Sequence, residues 1–230
     1  MDPRIYQIAV LAALLIYGIA GLEFDVSLLQ TMVTLATVLA AQWICSRWAK
    51  LDRFDPKSAL ISGLSLCLLL RTNHLALAVA GGVLAIAGKF LLRWRGKHLF
   101  NPTNFALVVL LLAADGRVWV SPGQWGNAAF FGFLIACAGG LVIMRAARHD
   151  VTLAFLCFYL ALVFGRSLYL GEPLRIPLHR LQSGALLLFA FFMISDPKTT
   201  PDSRAGRILF AALTAAGGWF VQFKLYYTNG

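Results

Sequence analysis

The sequence predicts an all-α integral membrane protein, and three observations carry that prediction. Of 230 residues, 60% are hydrophobic, only 13% are charged, and the mean hydropathy is +0.75. A soluble domain carries about twice that charged fraction. The apolar runs recur along the whole chain instead of gathering at one end. A net charge of +10 would point to nucleic acid in a soluble protein, but here its distribution between loops is the informative quantity.

About nine hydrophobic segments are predicted: Ile5 to Ala20, Val26 to Cys45, Ser58 to Leu70, His74 to Leu92, Asn101 to Ala114, Trp125 to Ile143, Val151 to Tyr169, Leu181 to Ser195 and Arg207 to Tyr226. The first follows Asp2-Pro3-Arg4 and ends at Gly21-Leu22-Glu23 without a small-x-small cleavage site, so it reads as a retained span. With a cytoplasmic amino terminus, thirteen Lys and Arg residues fall on the cytoplasmic side, six on the other, and Lys89 stays inside a span. The positive-inside bias therefore puts the amino terminus in and the carboxyl terminus out.

Three segments are too short to cross alone, because a helix rises about 1.5 Å per residue against a hydrocarbon core of about 30 Å. Ser58 to Leu70, Asn101 to Ala114 and Leu181 to Ser195 read as half-helices, or as spans completed by polar flanks inside a protein-lined cavity. Broken helices of this kind are where membrane proteins keep their binding sites.

An internal repeat is expected as well. Ser58-Ala59-Leu60-Ile61-Ser62-Gly63-Leu64, the break Arg71-Thr72-Asn73 and Ala80-Gly81-Gly82 are echoed by Ser183-Gly184-Ala185-Leu186-Leu187-Leu188, Ser195-Asp196-Pro197 and Ala216-Gly217-Gly218. On the charge-derived topology the two short helices run in opposite directions. That defines an inverted-repeat helical bundle in a single transmembrane domain, with repeat 1 over about 1–115, repeat 2 over about 124–230, and no tenth helix to match Asn101 to Ala114.

Candidate binding residues cluster where polarity meets short spans. The basic knot Arg93, Arg95, Lys97 and His98 leads into Phe100-Asn101-Pro102-Thr103-Asn104-Phe105. Asn101 is a good N-cap and Pro102 suits the first helical turn. Such an end offers N–H groups and a partial positive charge to an anionic or oxygen-rich ligand. Lys97, His98, Asn101, Thr103 and Asn104 supply donors, and Trp94, Phe100 and Phe105 are candidate walls. The same cations also read as ordinary positive-inside charges, and the aromatics as interfacial anchors. Ser195 and Asp196 form a second candidate, alternatively a tight turn. Lys89, and Arg71 with Asn73 and His74, are ionisable or polar residues in or beside short spans, where such groups face a cavity or a partner; Lys89 alternatively snorkels to the near membrane face.

Several classes find no support. Cys45, Cys67, Cys137 and Cys157 sit on four separate segments with no Cys-x-x-Cys pair, so neither a disulfide framework nor an iron–sulfur cluster is expected. No independent catalytic constellation, Gly-rich phosphate loop or His-based metal motif is present, and His98, His74, His149 and His179 are not paired at ligand spacing.

The Ser58 to Leu64 run, Gly88-Lys89, Lys97-His98-Leu99-Phe100-Asn101-Pro102 and Phe192-Met193-Ile194-Ser195-Asp196-Pro197-Lys198-Thr199-Thr200-Pro201 resemble the RnfD/NqrB family of membrane electron-transport subunits, and short stand-alone RnfD-like proteins most. The resemblance runs from about Asp55 to the end. It implies two inverted five-helix repeats, a flavin (FMN or riboflavin) in or at the edge of the membrane, ion transport in some members, partner redox proteins on the membrane or in the periplasm, and a multi-pass place in the bacterial inner membrane. In many members FMN is esterified to the Thr of a Ser-Gly-Ala-Thr motif. Here the only Ser-Gly-Ala is Ser183-Gly184-Ala185, elsewhere in the chain, and Leu186 follows it. Covalent FMN is therefore not expected, and a flavin would be held noncovalently. The expected function is electron transfer between redox partners. A small-solute channel with a urea/ammonium-channel-like inverted repeat, and a ligand-free membrane anchor of a larger complex, stand as alternatives.

Overall fold

The computed structural model describes residues 2–22, 24, 26–51, 54–121, 149–181 and 183–225. The expected segment Trp125 to Ile143, with Cys137, lies outside the described residues. Two compact units divide the chain, Met1–Ser121 and Pro122–Gly230. Among the described residues, three helices are long and apolar enough to cross a membrane, over Arg4–Gly21, Leu28–Trp48 and His149–Leu170, and a bent pair makes a fourth candidate. The protein is thus all-helical and membrane-type, as its composition predicts.

In the first unit the helices are α1 (Pro3–Gly21), α2 (Leu28–Trp48), α3 (Pro56–Leu69), α4 (Leu75–Leu91) and α5 (Pro102–Ala113). Oppositely charged groups join the starts of α1 and α3: Arg4 binds Asp2 and Asp55, and Lys57 Nζ reaches Asp2 at 2.9 Å. Hydrogen bonds from Arg4 and Lys57 hold the Asp2 carboxyl well below the usual carboxylate range. On α2 the buried positions are Thr31, Thr34, Val38, Gln42 and Ser46, a mostly polar stripe at helical spacing, while Leu28, Leu29, Met32, Trp43 and Ile44 are exposed. Polar groups inward and apolar groups outward is the arrangement a lipid environment favours.

The short helices are finished by strand, which the sequence reading does not anticipate. Strand β1 (Leu70–Thr72) continues α3, and β4 (Val118–Val120) follows α5 through a turn with positive φ at Asp115 and Gly116. The two pair antiparallel, Leu70 with Val120, Arg71 with Trp119 and Thr72 with Val118, and the Ser121 amide donates to the Leu69 carbonyl at 2.8 Å. The break Arg71-Thr72-Asn73 is therefore mostly paired backbone, which meets the demand that polar main chain at membrane depth be satisfied by protein. Fourteen residues of α3 cover about 21 Å and three of β1 about 10 Å, close to the roughly 30 Å of a bilayer core. A second small ribbon pairs β2 (Arg93–Trp94) with β3 (Lys97–His98), turning at Arg95 (φ 48) and Gly96 (φ 82).

Glycines let α4 lie against its neighbours. A Cβ on Gly82 would stand 2.9 Å from Thr37 Cγ2 of α2, and one on Gly88 would stand 2.6 Å from the Phe105 ring of α5. Gly88→Ala should destabilise the protein by about 1–3 kcal/mol, since the Phe105 ring has to move to admit a methyl group. The check is the unfolding midpoint in mixed detergent micelles, and an unchanged midpoint would contradict this packing.

The second unit holds α6 (His149–Leu170), α7 (Arg175–Leu181), α8 (Gly184–Leu188), which continues into a π-helical turn (Phe189–Met193), and α9 (Arg204–Phe223). The buried face of α6, Val151, Thr152, Phe155, Tyr159, Val163 and Ser167, repeats about every four residues. Small Ala211 and Ala215 are the buried positions of α9, the helix that packs on α6. Asp150 and Arg207, each only 14% exposed in its side chain, pair at 2.6 Å and join the two amino ends. At the far end Arg166 lies over the Phe223 ring, so α6 and α9 run parallel. The π turn leaves the Ala190 carbonyl to accept from Thr152 Oγ1 at 2.7 Å.

Apart from α7, which is inserted between α6 and α8, each unit by itself contains a long helix, a short helix, a polar break, and a helix parallel to the first. α2, α3 and α4 make that pattern in one unit, and α6, α8 and α9 in the other. The expected glycine pairs differ in their surroundings. Gly81 and Gly82 are packed tight, whereas a Cβ on Gly217 or Gly218 would meet nothing within 4 Å.

Candidate functional site

The residues singled out in the first unit fall at opposite ends of its helices. Arg71 and Asn73 lie where α2 and α4 begin. Lys89 and the Lys97–Asn104 stretch lie where α3 and α5 begin.

At the first end, a cavity of about 250 Å³ is lined by Ser27, Gln30, Arg71, Thr72, Asn73 and Trp119, with leucines completing the wall. Its residues come from four elements. Ser27 caps α2 by accepting from the Gln30 amide at 3.0 Å, β1 contributes Arg71 and Thr72, the turn into α4 contributes Asn73, and β4 contributes Trp119. Strand pairing sets Arg71 opposite Trp119. Arg71 is 4% exposed. Its Nη1 donates to the carbonyls of Cys67 (3.0 Å) and Leu70 (3.1 Å), and its guanidinium lies 5.6 Å from the Phe24 ring centroid. Thus a fixed cation, two side-chain amides, hydroxyls and an indole face one small space, at the positive ends of two parallel helices.

At the other end, Lys89 is 6% exposed and faces into the bundle. Its ammonium donates to Gln42 Oε1 and, at 3.1 Å, to Ser58 Oγ, and Gln42 Nε2 donates to Ser46 Oγ at 3.2 Å. This buried polar chain joins α2, α3 and α4.

The start of α5 is more self-contained than the sequence reading expects. Asn101 Oδ1 accepts from the amides of Thr103 (3.1 Å) and Asn104 (3.3 Å), so the cap occupies two of the N–H groups expected to face a ligand. Thr103 is buried and its hydroxyl donates to the Ser62 carbonyl of α3 at 3.4 Å. Pro102 is buried, Lys97 and His98 are half-buried on β3, and Phe100 stacks on Phe105 with centroids 5.9 Å apart.

In the second unit, Ser195 is buried and donates to the Phe191 carbonyl at 2.8 Å. Asp196 builds its own turn. Its carboxylate accepts from the Lys198 amide at 2.9 Å, and its carbonyl accepts from the amides and hydroxyls of Thr199 and Thr200, all at 3.1 Å. Ser183 caps α8 by accepting from the Leu186 amide at 3.4 Å.

Of the candidates, Arg71 and Asn73 share the cavity; the others lie elsewhere. Gln30, Ser27 and Trp119 join them without a sequence signal, because long-range pairing and helix ends bring them in. Gln42 and Ser46 had one: two polar residues four apart in an apolar span.

These features define a multi-pass, all-helical membrane protein with polar residues gathered in its bundle. Residues 120–230 match the NQR2, RnfD, RnfE family, just under half of the chain. The D subunit of the ion-translocating oxidoreductase complex of Escherichia coli (strain ATCC 8739) is 33% identical over 109 residues, 46% of this chain and 29% of that protein. Its counterpart in Shigella boydii serotype 18 gives the same values, and that of Escherichia coli O9:H4 (strain HS) is 32% identical over 109 residues. The carboxyl-terminal half of the chain is thus similar to the NQR2, RnfD, RnfE family. The chain spans about 29% of the length of the curated relatives it matches. The Met193-x-x-Asp196-Pro197 element lies inside the family match, and Phe100-Asn101-Pro102 precedes it.

Proposed function

We propose that this chain is an electron-transfer protein of the RnfD type, working in a bacterial inner membrane with a noncovalently held flavin. The observation that carries the reading is the family match over 120–230, whose similar proteins are named as subunits of an ion-translocating oxidoreductase complex. Its partners are then other redox proteins that deliver and remove electrons. The excess of Lys and Arg in alternate loops supports a cytoplasmic amino terminus.

In this reading the Arg71 cavity holds part of a flavin. At about 250 Å³ it is smaller than cavities that enclose a whole drug-sized ligand, about 300–1,000 Å³, so it takes in one end of the molecule. Trp119 offers a flat wall, Gln30 and Asn73 offer amides, and Arg71 offers a cation whose place is set by the Cys67 and Leu70 carbonyls. A bound flavin would supply the capacity to accept and pass electrons, and the fixed Arg71 guanidinium would favour its reduced, anionic form. The stretch with Lys97, His98, Asn101 and Asn104, at the opposite end of those helices, remains an alternative flavin site, and Ser195 with Asp196 in the second unit another. The attachment is noncovalent in this reading because Leu186 follows Ser183-Gly184-Ala185 and the Ser183 hydroxyl caps α8.

Gently extracted protein should be yellow, with a flavin absorbance band that bleaches on addition of dithionite. Protein that is folded, monodisperse and colourless would overturn the reading.

A further inference from the structure

We propose that the corner between α6 and α7 binds the phosphate of an anionic phospholipid headgroup. The corner is a defined piece of structure. Gly171, at φ 67, ends α6; the Glu172 amide donates to the Ser167 carbonyl at 2.9 Å; and α7 follows, with its axis 54° from that of the helix Gly184–Met193. Buried Pro177 anchors α7. Around it the surface is apolar and open: Leu168, Leu174 and Leu178 are each more than half exposed and Tyr169 is 89% exposed. An exposed Tyr and leucines at a helix end, beside basic residues, are what an interfacial segment presents to lipid.

The charge balance selects the ligand. Arg166 and Arg180 both lie over the Phe223 ring, their guanidinium carbons 4.4 and 4.7 Å from its centroid. Two cations on one phenyl ring repel unless anions are near. Glu172 supplies one negative charge, and Arg166 Nη1 takes both of its oxygens, at 2.9 and 3.0 Å, while Ser167 Oγ donates to Oε2 at 3.1 Å. The Arg166 and Ser167 hydrogen bonds, with the nearby charge of Arg180 adding to them, hold the Glu172 carboxyl below the usual glutamate range, so this one carboxylate serves both arginines. Among the described residues Arg180 and the exposed Arg175 make no ion pair with a carboxylate. Three guanidiniums, Arg166, Arg175 and Arg180, against the single carboxylate of Glu172 among the described residues of this corner leave an excess of positive charge among exposed apolar side chains, which matches a lipid phosphate above its acyl chains, since Arg pairs with phosphate through its planar fork. A free phosphate would use the cations and leave the apolar surface uncovered.

The test measures binding of phosphatidylglycerol to the full chain in a neutral detergent by native mass spectrometry, with phosphatidylcholine and inorganic phosphate as comparison ligands. Each basic residue near a lipid surface contributes about fivefold, so Arg175→Gln with Arg180→Gln should weaken phosphatidylglycerol binding about thirtyfold. Arg180→Lys should keep most of it, and Arg117→Gln, an exposed arginine of the other unit, should keep all of it. Should the double variant lose its helical signal, Arg175→Gln alone decides, with about fivefold expected. The proposal is overturned by unchanged affinity in the glutamine variants, by equal binding of phosphatidylcholine, or by displacement of the lipid with equimolar inorganic phosphate.

Discussion

Replacing Arg71 by glutamine is expected to weaken flavin retention by about tenfold to a hundredfold while the protein still inserts and folds. A hydrogen bond to a charged group contributes about 1.5–3 kcal/mol, and the guanidinium is the one full charge among the described residues lining the cavity. Glutamine keeps a donor for the Cys67 or Leu70 carbonyl, so the β1–β4 ribbon should survive. The measurement is flavin per chain after extraction, with helicity by circular dichroism as the folding control. Asn101→Ala and Lys97→Ala make the comparison. Loss of flavin in those two with full occupancy in Arg71→Gln would move the site from the cavity to the start of α5. The cap itself is worth about 1 kcal/mol, so Asn101→Ala should lower stability whatever it does to flavin.

The largest stability effect is expected at Asp150. Removing its carboxylate with Asp150→Ala leaves Arg207, whose side chain is mostly buried, with the Asp202 carbonyl at 2.5 Å as its partner among the described residues. Breaking a buried pair from one side costs about 3–5 kcal/mol because the remaining charge is uncompensated. Asp150→Ala should therefore lower the unfolding free energy in mixed micelles by about 3 kcal/mol, and adding Arg207→Met should recover part of it. Additive losses in the double variant would show that the pair does not couple α6 to α9.

The helices were legible because their signals are local. The run expected from His74 to Leu92 is α4 over Leu75–Leu91, and Asn101-Pro102 marked the start of α5 to the residue. The strands were not. Val118-Trp119-Val120 has strand-forming residues, but its partner is Leu70–Thr72, and no local pattern joins segments that far apart. The π turn at Phe189–Met193 was likewise hidden, since its cause is tertiary, with Thr152 bonded to the Ala190 carbonyl.

The candidate site was half legible for the same reason. Arg71 and Asn73 stood out as polar residues interrupting apolar sequence, and Lys89 as a charge inside a span. Gln30 and Trp119 did not, because an amide near a helix start and an indole in a loop are ordinary until pairing brings them to one cavity. The partners of Lys89, Gln42 and Ser58, emerged only once α2, α3 and α4 were packed together.

The most direct test of a noncovalent flavin in this chain is acid precipitation of the purified yellow protein, followed by mass analysis of supernatant and polypeptide. The expected result is FMN or riboflavin in the supernatant, near one per chain, and a polypeptide of unmodified mass. A polypeptide that retains the flavin, or a folded protein that releases none, would contradict the account.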